Sequence, residues 1–115
     1  MKTTIYHNPR CSKSRTTLSI LEEKAGDFEI IKYLETPPNA SEIKKLLSEL
    51  GISARDLMRK GEAEYKDQNL GDESLTQDQL IDAMVATPKL IERPIVRTEK
   101  GTVIGRPPEN VLAII

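Results

Sequence analysis

Short alternating β-type runs and amphipathic helical stretches follow one another along the chain in a readable order. Thr3-Thr4-Ile5-Tyr6 predicts a strand, and Asn8-Pro9 marks the turn that ends it. From Ser12 to Ala25 the spacing predicts a helix with Leu18, Ile20 and Leu21 roughly on one face and Gly26 as its stop. Phe28 to Tyr33 reads as a second strand, closed by Pro37-Pro38. A strand, a helix and a strand in this order form a βαβ unit with parallel strands and a right-handed crossover.

Asn39 and Glu42 then make a capping-box pattern, and Ile43, Leu46, Leu47 and Leu50 recur at helical spacing up to Gly51. Residues 52–75 mix brief helical hints with charged, turn-rich sequence, so short helices and loops are expected there. Thr76 with Gln79 repeats the capping box and opens a helix through Leu80, Ile81, Met84 and Val85 that stops at Thr87-Pro88. Ile95–Thr98 and Thr102–Gly105 flank Glu99-Lys100-Gly101, a hairpin in which the glycine is expected to supply the turn. Pro107-Pro108 should begin a terminal helix carrying Val111, Leu112 and Ile115. The chain thus reads as one α/β domain: βαβ, a helical middle, then ββα.

Composition narrows the partners. Seventeen basic residues against 18 acidic ones leave a net charge of −1, so nothing in the overall balance attracts nucleic acid or an anionic membrane. Aromatic residues are limited to Phe28 and three tyrosines, which predicts an aliphatic core and no platform for stacking bases. The start Met-Lys-Thr-Thr-Ile has no apolar leader, and no apolar run approaches the ~20 residues of a membrane span. A soluble, cytoplasmic protein is expected. One histidine, His7, makes no metal site, so no metal is expected either.

The candidate chemistry centres on Cys11, the only cysteine. It falls between a predicted strand and the start of a predicted helix, where backbone N–H groups and the helix dipole favour thiolate over thiol. Unpaired cysteines are often small buried hydrophobes. Here the flanks are His7, Asn8, Arg10, Ser12, Lys13, Ser14 and Arg15, polar and cationic, which favours a reactive thiol that also collects an oxyanion. A phosphatase-type loop would need arginine at position 17, where Thr17 stands, and a dithiol motif would need cysteine at position 14, where Ser14 stands. What remains is a monothiol site. Ser14 could donate a hydrogen bond to the thiolate or simply serve the first turn of the helix, and His7 could tune the thiol or support the loop. With no second cysteine, a redox cycle through Cys11 must take its other sulfur from outside.

Five segments carry a wider resemblance: Ile-Tyr-His-Asn-Pro-Arg-Cys-Ser-Lys-Ser-Arg at 5–15, Tyr-Leu-Glu-Thr-Pro-Pro at 33–38, Asp-Leu-Met-Arg at 56–59, Glu-Arg-Pro-Ile-Val at 92–96 and Gly-Arg-Pro-Pro-Glu at 105–109. Together they closely resemble the glutaredoxin-coupled arsenate reductase family, in family order and over essentially the whole chain. The resemblance implies a thioredoxin-like fold, with a mixed β-sheet and an inserted helical subdomain over about residues 40–90. It implies Cys11 as nucleophile and Arg59, Arg93 and Arg106 as the oxyanion-binding arginines, whose planar donors suit a tetrahedral oxyanion. Taken singly, Arg59 and Arg97 read as solvated surface charges. The resemblance further implies a cis Arg93–Pro94 bond aiming Arg93 at Cys11, whereas Pro107 and Pro108 are expected only to start the last helix. No bound cofactor is implied. Arsenate would be the substrate, glutathione a co-substrate and glutaredoxin a protein partner. Arg10, Ser12 and Lys13 stand where the family's plasmid-borne members have smaller residues, which places the chain nearer a chromosomal branch. Two other readings stay open: a redox regulator that binds RNA polymerase, as a sister group does, and a glutathione-dependent thiol reductase with another substrate.

Overall fold

Parallel pairing between the first two strands sets the frame of the molecule. The computed structural model describes residues 2–115. Strand β1 (Thr3–Tyr6) pairs with β2 (Phe28–Ile31) in parallel, from Thr3 opposite Phe28 to Tyr6 opposite Ile31, and helix α1 (Ser12–Lys24) is the crossover. β2 ends sooner than the apolar pattern to Tyr33 suggests. The reason is its partner: β1 stops at Tyr6, the last bond between the segments is His7 N–H to the Ile31 carbonyl at 2.8 Å, and Asn8-Pro9 then leads the chain away. Without a ladder to continue, residues 32–36 form a turn in which the Glu35 and Thr36 N–H groups both donate to the Lys32 carbonyl at 2.9 Å.

On the other edge of β1 lies the antiparallel β3 (Ile95–Thr98), followed by the antiparallel β4 (Gly101–Ile104), giving a mixed sheet of order β2-β1-β3-β4. Thr98 faces Gly101 across the hairpin, so Glu99 and Lys100 alone make the turn, and Gly101 opens β4 instead of occupying the turn as expected. Its φ of 154° suits glycine, and a Cβ there would lie 3.3 Å from Ile114 Cγ2.

The C-terminal segment corrects a third expectation. Pro108–Ala113 is a 3-10 helix, not an α-helix. At about three residues per turn it sends Val111 and Ile114 inward and leaves Leu112 47% exposed. Ile5, Leu21, Val96 and Val111 are completely buried and form the centre of this core with Ile114. Along α1 the inward stripe is Ser14, Thr17 and Leu21, with Leu18 and Ile20 only partly covered. A helix whose first turns bury hydroxyls instead of hydrocarbon has a purpose other than core packing.

The chain up to Thr36 together with Arg93–Ile115 forms this sheet unit, and Pro37–Glu92 forms a second, helical unit. The helical unit contains α2 (Ala40–Leu50), α3 (Ala54–Leu57), α4 (Ala63–Asp67), α5 (Gln77–Ala86) and a 3-10 turn at Pro88–Leu90. Both capping boxes form as expected. Asn39 Oδ1 accepts from Glu42 N–H at 2.8 Å, and Thr76 N–H donates to Gln79 Oε1 at 2.8 Å. α2 stops at Gly51, whose φ of 69° gives the left-handed cap. Ile43, Leu57, Met84 and Leu90 are completely buried.

The turn-rich stretch between α3 and α5 is tied down by one side chain. Arg55 donates from Nη1 to the Tyr65 hydroxyl at 2.8 Å and the Leu70 carbonyl at 2.6 Å, and from Nη2 to the Asp72 carbonyl at 2.9 Å. A lysine cannot reproduce that fork. Arg55→Lys is expected to lower unfolding stability by about 2 kcal/mol, the scale of losing charge-assisted hydrogen bonds, with urea denaturation as the check. An unchanged midpoint would show that the fork does not hold the segment.

Candidate active site

Cys11 is the N-cap of α1, with extended backbone angles of φ −94° and ψ 123°, and its carbonyl accepts the Arg15 N–H at 3.0 Å. Helix geometry therefore turns the free N–H groups of the first turn toward the sulfur. Only 9% of the residue is exposed. Burial exerts the largest single pull on the thiol and pushes its pKa up. The Ser14 N–H, the Arg93 guanidinium, the Lys13 N–H and the Arg106 guanidinium pull the other way and together prevail, leaving the thiol below its ordinary 9.0. Arg106 is close enough to see directly: its Nη1 lies 4.0 Å from Cys11 Sγ and donates to the Arg93 carbonyl at 3.2 Å. Cys11, Arg93 and Arg106 thus meet from three places in the sequence.

Ser14 serves the site differently from a hydroxyl donor to sulfur. Its backbone N–H faces Cys11, while its Oγ, fully buried, lies 2.6 Å from His7 Nδ1 and accepts the Asn8 N–H at 3.0 Å. His7 is 5% exposed, and burial followed by the charges of Lys32 and Arg15 lowers its pKa below 6.5. A neutral imidazole with Nδ1 free to accept completes the bonding of Ser14, so the pair braces the cysteine loop from beneath.

Both prolines that follow the arginines are in cis peptides. Arg93–Pro94 is cis as the resemblance implies, and Arg106–Pro107 is cis although nothing in the sequence singled it out. Between them sits Gly105, whose N–H donates to the Pro94 carbonyl at 2.9 Å. A Cβ on Gly105 would come within 2.7 Å of Thr17 Oγ1 and 2.8 Å of Pro94 Cγ, so no side chain fits there. Thr17, itself fully buried, donates to the Lys13 carbonyl at 2.8 Å and packs against this glycine. Sequence reasoning passed over Gly105 and Thr17. A glycine directly before the Arg106-Pro107 step was the one available signal.

Arg59 belongs to the helical unit. Its Nη1 lies 2.6 Å from Glu62 Oε1, and its N–H donates to the Leu90 carbonyl at 2.7 Å, beside the single bridge of Met58 with Ile91. Among the described residues, no group of three or more His, Cys, Asp or Glu could hold a metal ion, and no helix is long and apolar enough to cross a membrane.

The family model of ArsC matches residues 6–114. The chain belongs to the ArsC family. It is 55% identical over 112 residues to the uncharacterized protein YfgD of Escherichia coli K12, covering 96% of this chain and 94% of that one. It is 46% identical over 112 residues to the arsenate reductase of Neisseria meningitidis, covering 96% of each. Among solved structures, the arsenate reductase from Vibrio cholerae superposes with a TM-score of 0.96 at 51% identity, over 100% of this chain and 98% of that one. The fold of this ArsC-family protein is accordingly thioredoxin-like.

Two measurements test the geometry. The rate of iodoacetamide alkylation should rise with pH to a half-maximum below 9.0, because the thiolate is the reactive form. Arg93→Ala should shift that midpoint upward, and further than Arg106→Ala, since the Arg93 charge acts on the sulfur more strongly. Equal midpoints in all three proteins would remove the arginines from the electrostatics of Cys11. Gly105→Ala should force Pro94 and Thr17 apart and lower stability by about 1–3 kcal/mol, as overpacking does, read as a fall in Tm.

Proposed function

We propose that this protein is an arsenate reductase that uses Cys11 as a monothiol nucleophile, with glutathione as co-substrate and glutaredoxin as partner. The observation that carries the reading is the sulfur itself: a thiol shifted toward thiolate with the Arg106 guanidinium 4.0 Å away, in a chain 46% identical to an arsenate reductase. A guanidinium beside a nucleophilic thiolate draws an oxyanion to the atom that will attack it. Arg93 and Arg106 hold arsenate oxygens on the sheet unit.

Electron bookkeeping dictates the rest. The Cys11 thiolate attacks arsenic, forming a sulfur–arsenic bond, and hydroxide leaves as water after taking a proton. The glutathione thiol displaces a second hydroxide from the adduct, giving arsenic bound to two sulfurs and still at As(V). A glutaredoxin thiolate then attacks the glutathione sulfur. A disulfide forms between glutaredoxin and glutathione, the glutathione–arsenic bond breaks, and its electron pair remains on arsenic as As(III). Water frees arsenite and returns Cys11 to the thiol. The two electrons come from two external thiols, as one cysteine requires. The reading places the protein in the cytoplasm, where glutathione keeps such thiols reduced.

The test is arsenite formation from arsenate by purified protein with glutathione and glutaredoxin. Cys11→Ser should reduce turnover by at least about a hundredfold, since an alcohol at neutral pH is a poor nucleophile. Arg106→Ala should raise the arsenate KM about tenfold, the scale of one charge-assisted hydrogen bond. Undiminished arsenite formation by the serine variant would reject the nucleophile.

A further inference from the structure

Next to the cysteine loop is a cavity of about 430 Å3 that none of the steps above occupies. One wall is His7, Pro9 and Arg10, which lead from β1 to Cys11; the other is Lys32, Leu34 and Glu35 in the turn after β2. The bond from His7 N–H to the Ile31 carbonyl at 2.8 Å joins the two walls at the base. The crevice therefore opens outside the carboxyl ends of two parallel strands, the place where α/β sheets take their ligands.

Both walls are fixed by hydrogen bonds. Arg15 Nη1 donates to the Pro9 carbonyl at 3.0 Å, Arg10 N–H donates to Asn8 Oδ1 at 3.0 Å, and the Lys32 carbonyl receives the Glu35 and Thr36 N–H groups at 2.9 Å. Around this frame stand charges of both signs. Arg10 and Lys32 are exposed cations, Glu35 is an exposed anion lining the same crevice, and Leu34, 44% exposed, offers a large apolar surface. Lys32 lines the crevice and its charge also acts on the buried His7 beside it. No ion pair among the described residues engages Arg10, Lys32 or Glu35.

An inorganic oxyanion would have no use for a carboxylate or for Leu34. A short zwitterionic peptide matches them: it carries two carboxylates, one ammonium and an apolar stem, and needs a crevice of a few hundred Å3. The geometry points to this crevice as the seat of glutathione. Glu35 and Lys32 receive the ammonium and carboxylate of its γ-glutamyl head, Leu34 supports the stem, and Arg10 takes the glycine carboxylate. Because Arg10 is bonded directly to Cys11, the central cysteinyl sulfur is delivered to the arsenic carried on Sγ. The assignment rests on the glutathione coupling proposed above and adds where the tripeptide binds and which charges read it.

Binding of S-methylglutathione, which has no thiol to react, isolates the crevice from turnover. Added to the full chain, it should move the backbone amide resonances of residues 7, 8, 10 and 32–36. Converting its glycine carboxylate to a carboxamide should weaken binding to the unaltered protein about fivefold, the upper range for an exposed charge pair, and should change nothing in Arg10→Gln. Removing its amino group should weaken binding by a similar factor, except in Glu35→Gln. Unmoved amides, or variants that still discriminate between the analogues as the unaltered protein does, would overturn the assignment. The two readings separate cleanly. Analogue binding without arsenite formation leaves the crevice standing and rejects the reaction, whereas glutathione-dependent arsenite formation with an unaltered glutathione KM in Lys32→Glu rejects the crevice and keeps the reaction.

Discussion

Burial and positive charge pull the Cys11 thiol in opposite directions, and the surrounding structure settles that contest in favour of the thiolate. A residue only 9% exposed would ordinarily keep its proton. Two backbone N–H groups from the first turn of α1 and two guanidiniums from distant parts of the chain overturn that preference. Low exposure then becomes useful, because the same charges act more strongly where water cannot screen them. The rest of the sheet unit can be read as the means of keeping these four partners in place.

That requirement explains why α1 is packed by polar groups near its start. Ser14 and Thr17 are fully buried where an ordinary amphipathic helix would carry aliphatic side chains. Each hydroxyl has a partner, Ser14 with His7 and Asn8 and Thr17 with the Lys13 carbonyl, so burial leaves neither unsatisfied. The small side chain of Thr17 lets Gly105 come in close beside Pro94, next to Arg106, whose guanidinium lies 4.0 Å from the sulfur. Larger apolar residues would strengthen the core and push the arginine away.

Much of the architecture was legible along the chain because it rests on local rules. Both capping boxes, the Gly51 cap and the βαβ order follow from residue types at fixed spacing, and all are present. Where the sequence misled, a partner decided the outcome. β2 lost its last two expected residues because β1 has nothing left to pair with them, and Gly101 entered β4 because the register pairs it with Thr98. The terminal segment became a 3-10 helix with Leu112 turned outward, although its apolar residues suited an α-helix equally well.

The site divides along the same line. By itself the sequence determined that a lone thiol caps a helix in cationic surroundings and that any second sulfur must come from another molecule, since both follow from residue identity and short spacing. Only the tertiary structure decided which cations reach the thiol, how Ser14 shares its backbone and hydroxyl between Cys11 and His7, and why residue 105 has no side chain. Coulombic and steric effects act over a few ångströms, and the 95 positions separating Cys11 from Arg106 carry no record of that distance until the sheet has formed.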